Sequence, residues 1–426
     1  MSHDALALTP SRPGLRVVLI LVVLSALVAA LVVVVHPRLP WGSGLRVVAG
    51  GSAAPRAGVP ADRDGAIRAL LASRGAAVRR HDAAAYRATQ TGHAPVPAFD
   101  RLVALGYARW AYLVSRVARR SDPHVVDVDV RLVTRLRGEV ADATTYETVT
   151  LVSTTAGWRV SQERTRGARA ALWDLGPVTV VRGASSIVVG ISTSRALARA
   201  YAAVADRAVS SVSSMWGRGW DRRAVVVVPR TTVQLGRLLG RSAASLAGFA
   251  AVTTAEGSPR RGARIAERVF VNTPAVATLT SLGREVVVRH ELTHVATLAP
   301  ERSTVPLWLV EGAAEYTGYR GSGIPLRVAV GDLLGTARSS GSLKALPTTA
   351  DFNGAHVDIA YESAHLACAL LVQKYGEAGL VRLYRLTEDA TGTPDANVAA
   401  ALRTVTGTSV ASFQVAWRTR AAALAR

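Results

Sequence analysis

His290, Glu291 and His294 stand in the run His290-Glu291-Leu292-Thr293-His294. On a helix, positions i and i+4 share one face. Two imidazoles at that spacing can grip one divalent ion such as Zn²⁺, and the Glu between them can reach the fourth coordination position. Zinc lowers the pKa of a water it binds from about 16 towards about 7. Glu291 is placed to take the released proton. A third ligand is still missing, and the run Trp308-Leu309-Val310-Glu311-Gly312-Ala313-Ala314-Glu315-Tyr316 offers a carboxylate from a second helix. Glu311 and Glu315 are four residues apart and share a face. Amid Trp308, Leu309, Val310, Ala313 and Ala314, an acidic pair is costly to bury without a cation or hydrogen-bond donors. Either Glu can be the ligand. The other then accepts the outer N–H of a ligating His and sets its tautomer. The two runs together predict a metal-assisted hydrolase, and a peptidase foremost.

These side chains need rigid carriers. Thr280 or Ser281 begins a helix that runs to about Thr297, and Leu298-Ala299-Pro300 ends it, because the residue before Pro avoids helical angles. Ser303 or Thr304 caps the next helix, Pro306 suits its first turn, and Gly318 suits its C-terminal stop. Hydrolysis also needs a donor for the developing oxyanion. The segment Asp358 to His365 opens a further helix, with Tyr361 the candidate donor and His365, one turn on, the alternative.

Residues 290–294 and 308–316 resemble the gluzincin peptidases, in particular the peptidase MA-like group whose catalytic segment reads HELTH and then WLxEGxAEY. The resemblance implies that His290, His294 and Glu311 bind one zinc ion, that Glu291 is the general base and acid, and that Glu315 plays the outer, tautomer-fixing part. Related peptidases often have a Tyr near such a downstream helix, which favours Tyr361. The spacing from His294 to Glu311 is shorter than in the best-known aminopeptidase branch. That branch's Gly-x-Met-Glu-Asn segment, which holds a substrate's amino terminus, has no counterpart here. A third His of the metzincin kind is absent from Val295 to Pro300. An intramembrane protease reading fails locally, because Arg284, Glu285 and Arg289 flank the motif.

The chain of 426 residues allows two or three domains, and 49% hydrophobic residues allow more than one core. The formal charge of +21 comes almost wholly from Arg. The Arg residues are scattered, zinc-finger spacing is absent and aromatics are only 5%, so nucleic acid is not an expected partner. An anionic surface remains a possible attraction. The lone Cys368 excludes an intramolecular disulfide, and its apolar setting reads as a buried, inert thiol.

Val17 to Val35 carries no charge. Nineteen residues at helical rise cover about 28 Å, close to the roughly 30 Å of a hydrocarbon core. The expectation is an uncleaved single-pass anchor at 17–35, a cytoplasmic tail at 1–16 and a linker at 36–60. Arg12 and Arg16 tip the balance towards a cytoplasmic N-terminus, which places residues 36–426 outside the cell membrane.

Residues 61–170 read as a small α+β domain. Ile67, Leu70, Leu71 and Val78 recur at helical spacing, and Asp82 can cap a second short helix. Strands follow at Tyr107–Arg119, at His124–Arg137 with strict alternation, at Thr144–Val152 and at Gly157–Glu163. In element order and length this resembles the cone-shaped nuclear transport factor 2-like domains, which bind a ligand or act as spacers. Residues 178–426 read as the gluzincin-like domain, a small sheet before a mainly helical half. Strands are expected at Val178–Val181, Ser186–Ile191, Ala224–Val228, Gly248–Val252 and Arg268–Asn272, the last as an edge that pairs with an extended peptide. The fold class is therefore α+β: anchor, cone-like domain and zincin-like domain. The function expected is an extracytoplasmic zinc metallopeptidase acting on a peptide or protein. The rivals are a turnover-dead peptidase-like scaffold and a zinc amidase acting on cell-wall peptides. Oligomeric state has no signal in the sequence.

Overall fold

The computed structural model describes residues 63–92, 94–257, 266–297, 304–340, 343 and 345–426. They divide into two compact α+β units, one of residues up to Pro177 with Glu256–Ala266, the other of Val178–Ala255 with Glu267–Arg426. The membrane expectation is corrected here. Among the described residues no helix is long and apolar enough to cross a membrane. The span at 17–35, with its tail and linker, lies outside the described residues, and the described residues form an α+β fold with no membrane-crossing helix among them.

In the first unit, α1 (Arg63–Arg80) turns Ile67, Leu71 and Val78 inward. The Asp82 side chain accepts from the Ala85 amide at 2.9 Å and starts α2 (Ala83–Ala88). A short helix, α3 (Phe99–Leu105), follows the turn-rich segment and ends on Gly106 in the left-handed conformation, φ 67°. The sequence reading contains no helix there. The antiparallel strands β1 (Tyr107–Arg119), β2 (Val125–Leu136), β3 (Ala143–Thr154) and β4 (Gly157–Thr165) then form a meander in chain order. Burial along β1 does not alternate regularly. Register shifts at Tyr107/Arg109 and Val114/Arg116 break its alternation. By contrast Val126, Val128, Val130 and Leu132 of β2 all face the core. One buried ion pair, Arg74 to Glu163 at 2.8 Å, is braced by the Tyr112 hydroxyl, which donates to Glu163 at 2.6 Å.

The second unit opens with β5 (Val178–Arg182) and β6 (Ser186–Ile191), crosses through α4 (Arg195–Trp216) to β7 (Ala224–Pro229), and continues through α5 (Thr232–Leu239) to β8 (Ala251–Ala255) and β9 (Glu267–Val271). The sheet order is β5-β6-β7-β9-β8, parallel through β6, β7 and β9 and antiparallel at both ends. This overturns one expectation. The segment at 268–272 is not an edge, because β9 lies between β7 and β8. The edge strand at that end is β8, and β5 forms the other edge. After α6 (Thr273–Val276) the unit is helical: α7 (Ser281–Ala296), α8 (Leu307–Tyr319), α9 (Leu326–Ala329), α10 (Gly331–Ser340), α11 (Val357–Glu388), α12 (Pro394–Thr406) and α13 (Val410–Ala425). Within α11, Gly376 (φ 72°, ψ 171°) breaks the helical run. Trp216 Nε1 donates to Thr317 at 3.0 Å and Trp417 Nε1 to the Ser363 carbonyl at 3.2 Å, tying α8 to α4 and α13 to α11.

Candidate metal centre

Three helices and one strand carry the site. Thr280 caps α7, accepting from the Gly283 amide at 3.1 Å. From Val286 onward α7 has almost no solvent face. Val286, Val287, Val288 and every residue from His290 to Ala296 are buried. A helix enclosed on all sides fixes its polar side chains by packing. Beside it runs α8, from Leu307 to Tyr319, preceded by Pro306 with no side-chain cap. The expected caps are thus corrected. Thr304 instead donates to the Glu388 carbonyl at 2.9 Å, and Ser303 lies outside the described residues. Gly318 is not a stop but sits inside α8. A Cβ there would come within 3.0 Å of the Val286 carbonyl and 3.5 Å of the His290 Cβ. At Gly312 a Cβ would collide with the Ala364 carbonyl of α11. Both glycines let α8 pass between α7 and α11 at backbone distance, which brings its carboxylates to the imidazoles.

The three expected ligands converge. His290 Nε2 and His294 Nε2 face each other at 3.1 Å. Glu311 Oε2 lies 3.4 Å from the first and 3.5 Å from the second. His290, His294 and Glu311 form the group among the described residues that can hold a metal ion, and all three are buried. Ligands at about 2.0–2.1 Å on a tetrahedral zinc ion stand roughly 3.3 Å apart. The observed triangle has that size. Glu315 Oε1 lies 3.1 Å from His290 Nδ1, the outer nitrogen. A carboxylate there selects the Nδ1–H tautomer and turns the Nε2 lone pair towards the centre.

The charge balance of the cluster asks for a cation. Burial alone would depress the His290 imidazole, yet the Glu311 and Glu315 carboxylates raise it well above its ordinary range. Burial alone would raise Glu311, yet His294 and His290 bring it down to about 2. Both Glu311 oxygens are buried without a hydrogen-bond partner. A fully buried carboxylate left in that state is expensive, and a divalent ion shared with two imidazole lone pairs satisfies it. The residues present therefore fit a bound zinc-type ion.

Glu291 is fully buried. Its Oε2 accepts from the Thr253 hydroxyl at 2.6 Å, and its Oε1 has no partner. One oxygen is held and the other is open to exchange a proton. Thr253 belongs to β8 and is absent from the sequence reading, which ends that strand at Val252. The structure extends it to Ala255. Nothing local in the sequence couples residue 253 to residue 291. Their link is set by sheet order.

Tyr361 sits in the second turn of α11, fully buried, its ring 6.3 Å from His290 and edge-on to Phe352 at 5.1 Å. Burial, and then the carboxylates of Glu311, Glu315 and Glu291, push its phenol well above the usual range, which places it among the acids of the centre. His365 stacks against Tyr319 at 5.0 Å, and its Nδ1 is buried without a partner. Burial is the main cause of its pKa, lowered to about 4. Cys368 is buried, and burial raises its thiol, as an inert thiol requires.

No known protein family matches this chain, and no curated protein does. One solved structure, an M1 zinc metallopeptidase from Deinococcus radiodurans, overlaps 72% of this chain at 15% identity and a TM-score of 0.32. The chain spans 59% of the length of that protein. An overlap of this quality does not define a family.

Proposed function

We propose that this chain is a zinc-dependent hydrolase of peptide bonds, with His290, His294 and Glu311 as the ligands of a single ion. The observation that supports the reading is the triangle of 3.1, 3.4 and 3.5 Å between the two Nε2 atoms and Glu311 Oε2, at full burial. An ion held there by three protein ligands supplies a Lewis acid that acidifies water and polarises a carbonyl.

The rest of the chemistry belongs to the chain. Glu291 takes the proton of the attacking water on Oε1 and returns it to the leaving amine, while Thr253 fixes Oε2. Glu315 holds His290 by Nδ1 so that its Nε2 stays a lone pair. Tyr361 offers its O–H to the oxygen that gains charge as the carbonyl carbon becomes tetrahedral. The substrate we propose is an extended peptide or protein segment laid along β8. That strand has one ladder neighbour among the described residues, β9, and an extended segment can add to its other side by backbone hydrogen bonds. Thr253 sits in the middle of β8, so a strand added there runs past Glu291.

The test is cleavage of unfolded casein by the purified full chain beside its Glu291→Gln variant. The account expects turnover in the first and a loss of about 10²–10⁴-fold in the second, with the bound metal retained. Equal cleavage by both would remove Glu291 from the mechanism. No cleavage by either, with zinc bound, would leave a metal-binding protein that is not a peptidase.

A further inference from the structure

We infer that the unit carrying the metal centre has a second and separate binding site, a basic concavity that takes a small multivalent oxyanion of the phosphate or sulfate class. The concavity measures about 600 Å³ and lies against the last turns of α4 and the segment at 217–223. It shares no lining residue with the metal centre.

Three arginines line it, Arg218, Arg222 and Arg223. None of the three makes an ion pair or side-chain hydrogen bond among the described residues, whereas the Asp221 between them is engaged by another group. Some other arginines of this unit are neutralised in place. Arg207 and Arg289 share Glu285, and Arg320 pairs with Glu377. What sets the hollow apart is that three arginines without ion pairs line one concavity together.

The floor is hydroxylic. Ser210, Ser213 and Ser214 lie on one face of α4, and Ser185 adds a fourth hydroxyl from the β5–β6 turn. The run Ser210-Ser211-Val212-Ser213-Ser214 has low helix propensity, so this stretch gains nothing locally from its serines. The Ser213 Oγ is buried without a hydrogen-bond partner. Ser214 is already engaged, accepting from Arg320 at 2.9 Å and donating to the Ser211 carbonyl at 2.7 Å, so the open hydroxyl of the helix face is that of Ser213. The backbone of Arg222 is left-handed, φ 48°, a conformation that disfavours any residue with a Cβ.

Guanidinium forks with convergent hydroxyls match an anion that presents several oxygens, since each N–H and O–H finds its own acceptor. Arginines at the end of a helix also complement its dipole. That role, however, needs neither the buried unpartnered serine nor the concavity.

The experiment is calorimetric titration of the intact chain with inorganic pyrophosphate at constant ionic strength. The expected result is saturable binding at one site per chain. Binding should weaken at least tenfold in Arg222→Ala/Arg223→Ala and measurably in Ser213→Ala. It should be unchanged in Arg382→Ala/Arg403→Ala, which removes the same charge from exposed positions elsewhere. A His290→Ala chain should also bind as the parent does. The Ser213 variant leaves the charge intact and keeps the test valid if the double arginine variant misfolds. The absence of saturable binding overturns the site. So does equal weakening in both double variants, which would mean general charge attraction. So does loss in His290→Ala, which would put the anion on the metal.

Discussion

His290, His294 and Glu311 converge without an ion, and the first of them is oriented by a further carboxylate. Glu315 sets the His290 tautomer at 3.1 Å. Removing such an outer partner costs about 10–100-fold in metal affinity. Glu315→Ala should therefore bind zinc more weakly by that factor in a competition titration with a chromogenic chelator, and parental affinity in the variant would remove Glu315 from the site. Thr253 plays the matching part for Glu291. Hydrogen bonds to charged groups contribute about 1.5–3 kcal/mol. The Thr253→Val change, which keeps the shape and deletes the hydroxyl, should lower turnover on casein about tenfold or more while zinc content stays at the parental level. An unaltered rate would show that Glu291 needs no such support. The five-residue run at 290–294 and the nine-residue run at 308–316 were legible in the sequence because helical spacing alone places those side chains. Thr253 was not, since its contact with residue 291 spans 38 positions and is made by packing.

Elements were readable where their signals are local. The cap at Asp82 and the alternation of β2 stand in the structure as the sequence implies. Sheet order is not local, and the segment at 268–272, read as an edge, is enclosed between β7 and β8. Gly318 misled for a related reason. A glycine needed for close helix approach looks in sequence like one that ends a helix. The seam between α10 and α11 carries a consequence of the same kind. Glu362 of α11 accepts from the Leu333 amide at 2.7 Å in the first turn of α10. Burial, with help from Asp332 and Asp358, raises its pKa to about 8. A folded-state pKa above the unfolded one means that the folded chain holds the proton more tightly. The stability this contributes is complete below the unfolded value, near 4.5, and is lost as pH rises through about 8. The loss amounts to roughly 5 kcal/mol at most, at about 1.4 kcal/mol per unit. Denaturant unfolding of the parent and of Glu362→Gln between pH 5 and pH 8.5 should show the parent losing stability relative to the variant. Parallel curves would mean that this carboxyl titrates normally.

At the scale of the whole chain, length and composition allowed more than one core, the order of helix and strand signals pointed to α+β architecture, and two compact units are present. The expected anchor followed from hydropathy in a stretch that lies outside the described residues. Among the described ones no helix is apolar and long enough to span a bilayer. The charge of +21 said nothing about fold. An ion that binds the folded chain and not the unfolded one stabilises it by mass action, so the metal centre is also a property of the intact molecule. The most direct measurement is elemental analysis of the purified full-length chain by plasma mass spectrometry, before and after dialysis against a chelator and readdition of zinc, beside Glu311→Ala. The account predicts one zinc per chain, removed by the chelator with a fall in Tm, restored by zinc, and well below one in the variant. A parent chain that binds no divalent metal, or a Glu311→Ala chain that keeps its full complement, would contradict it.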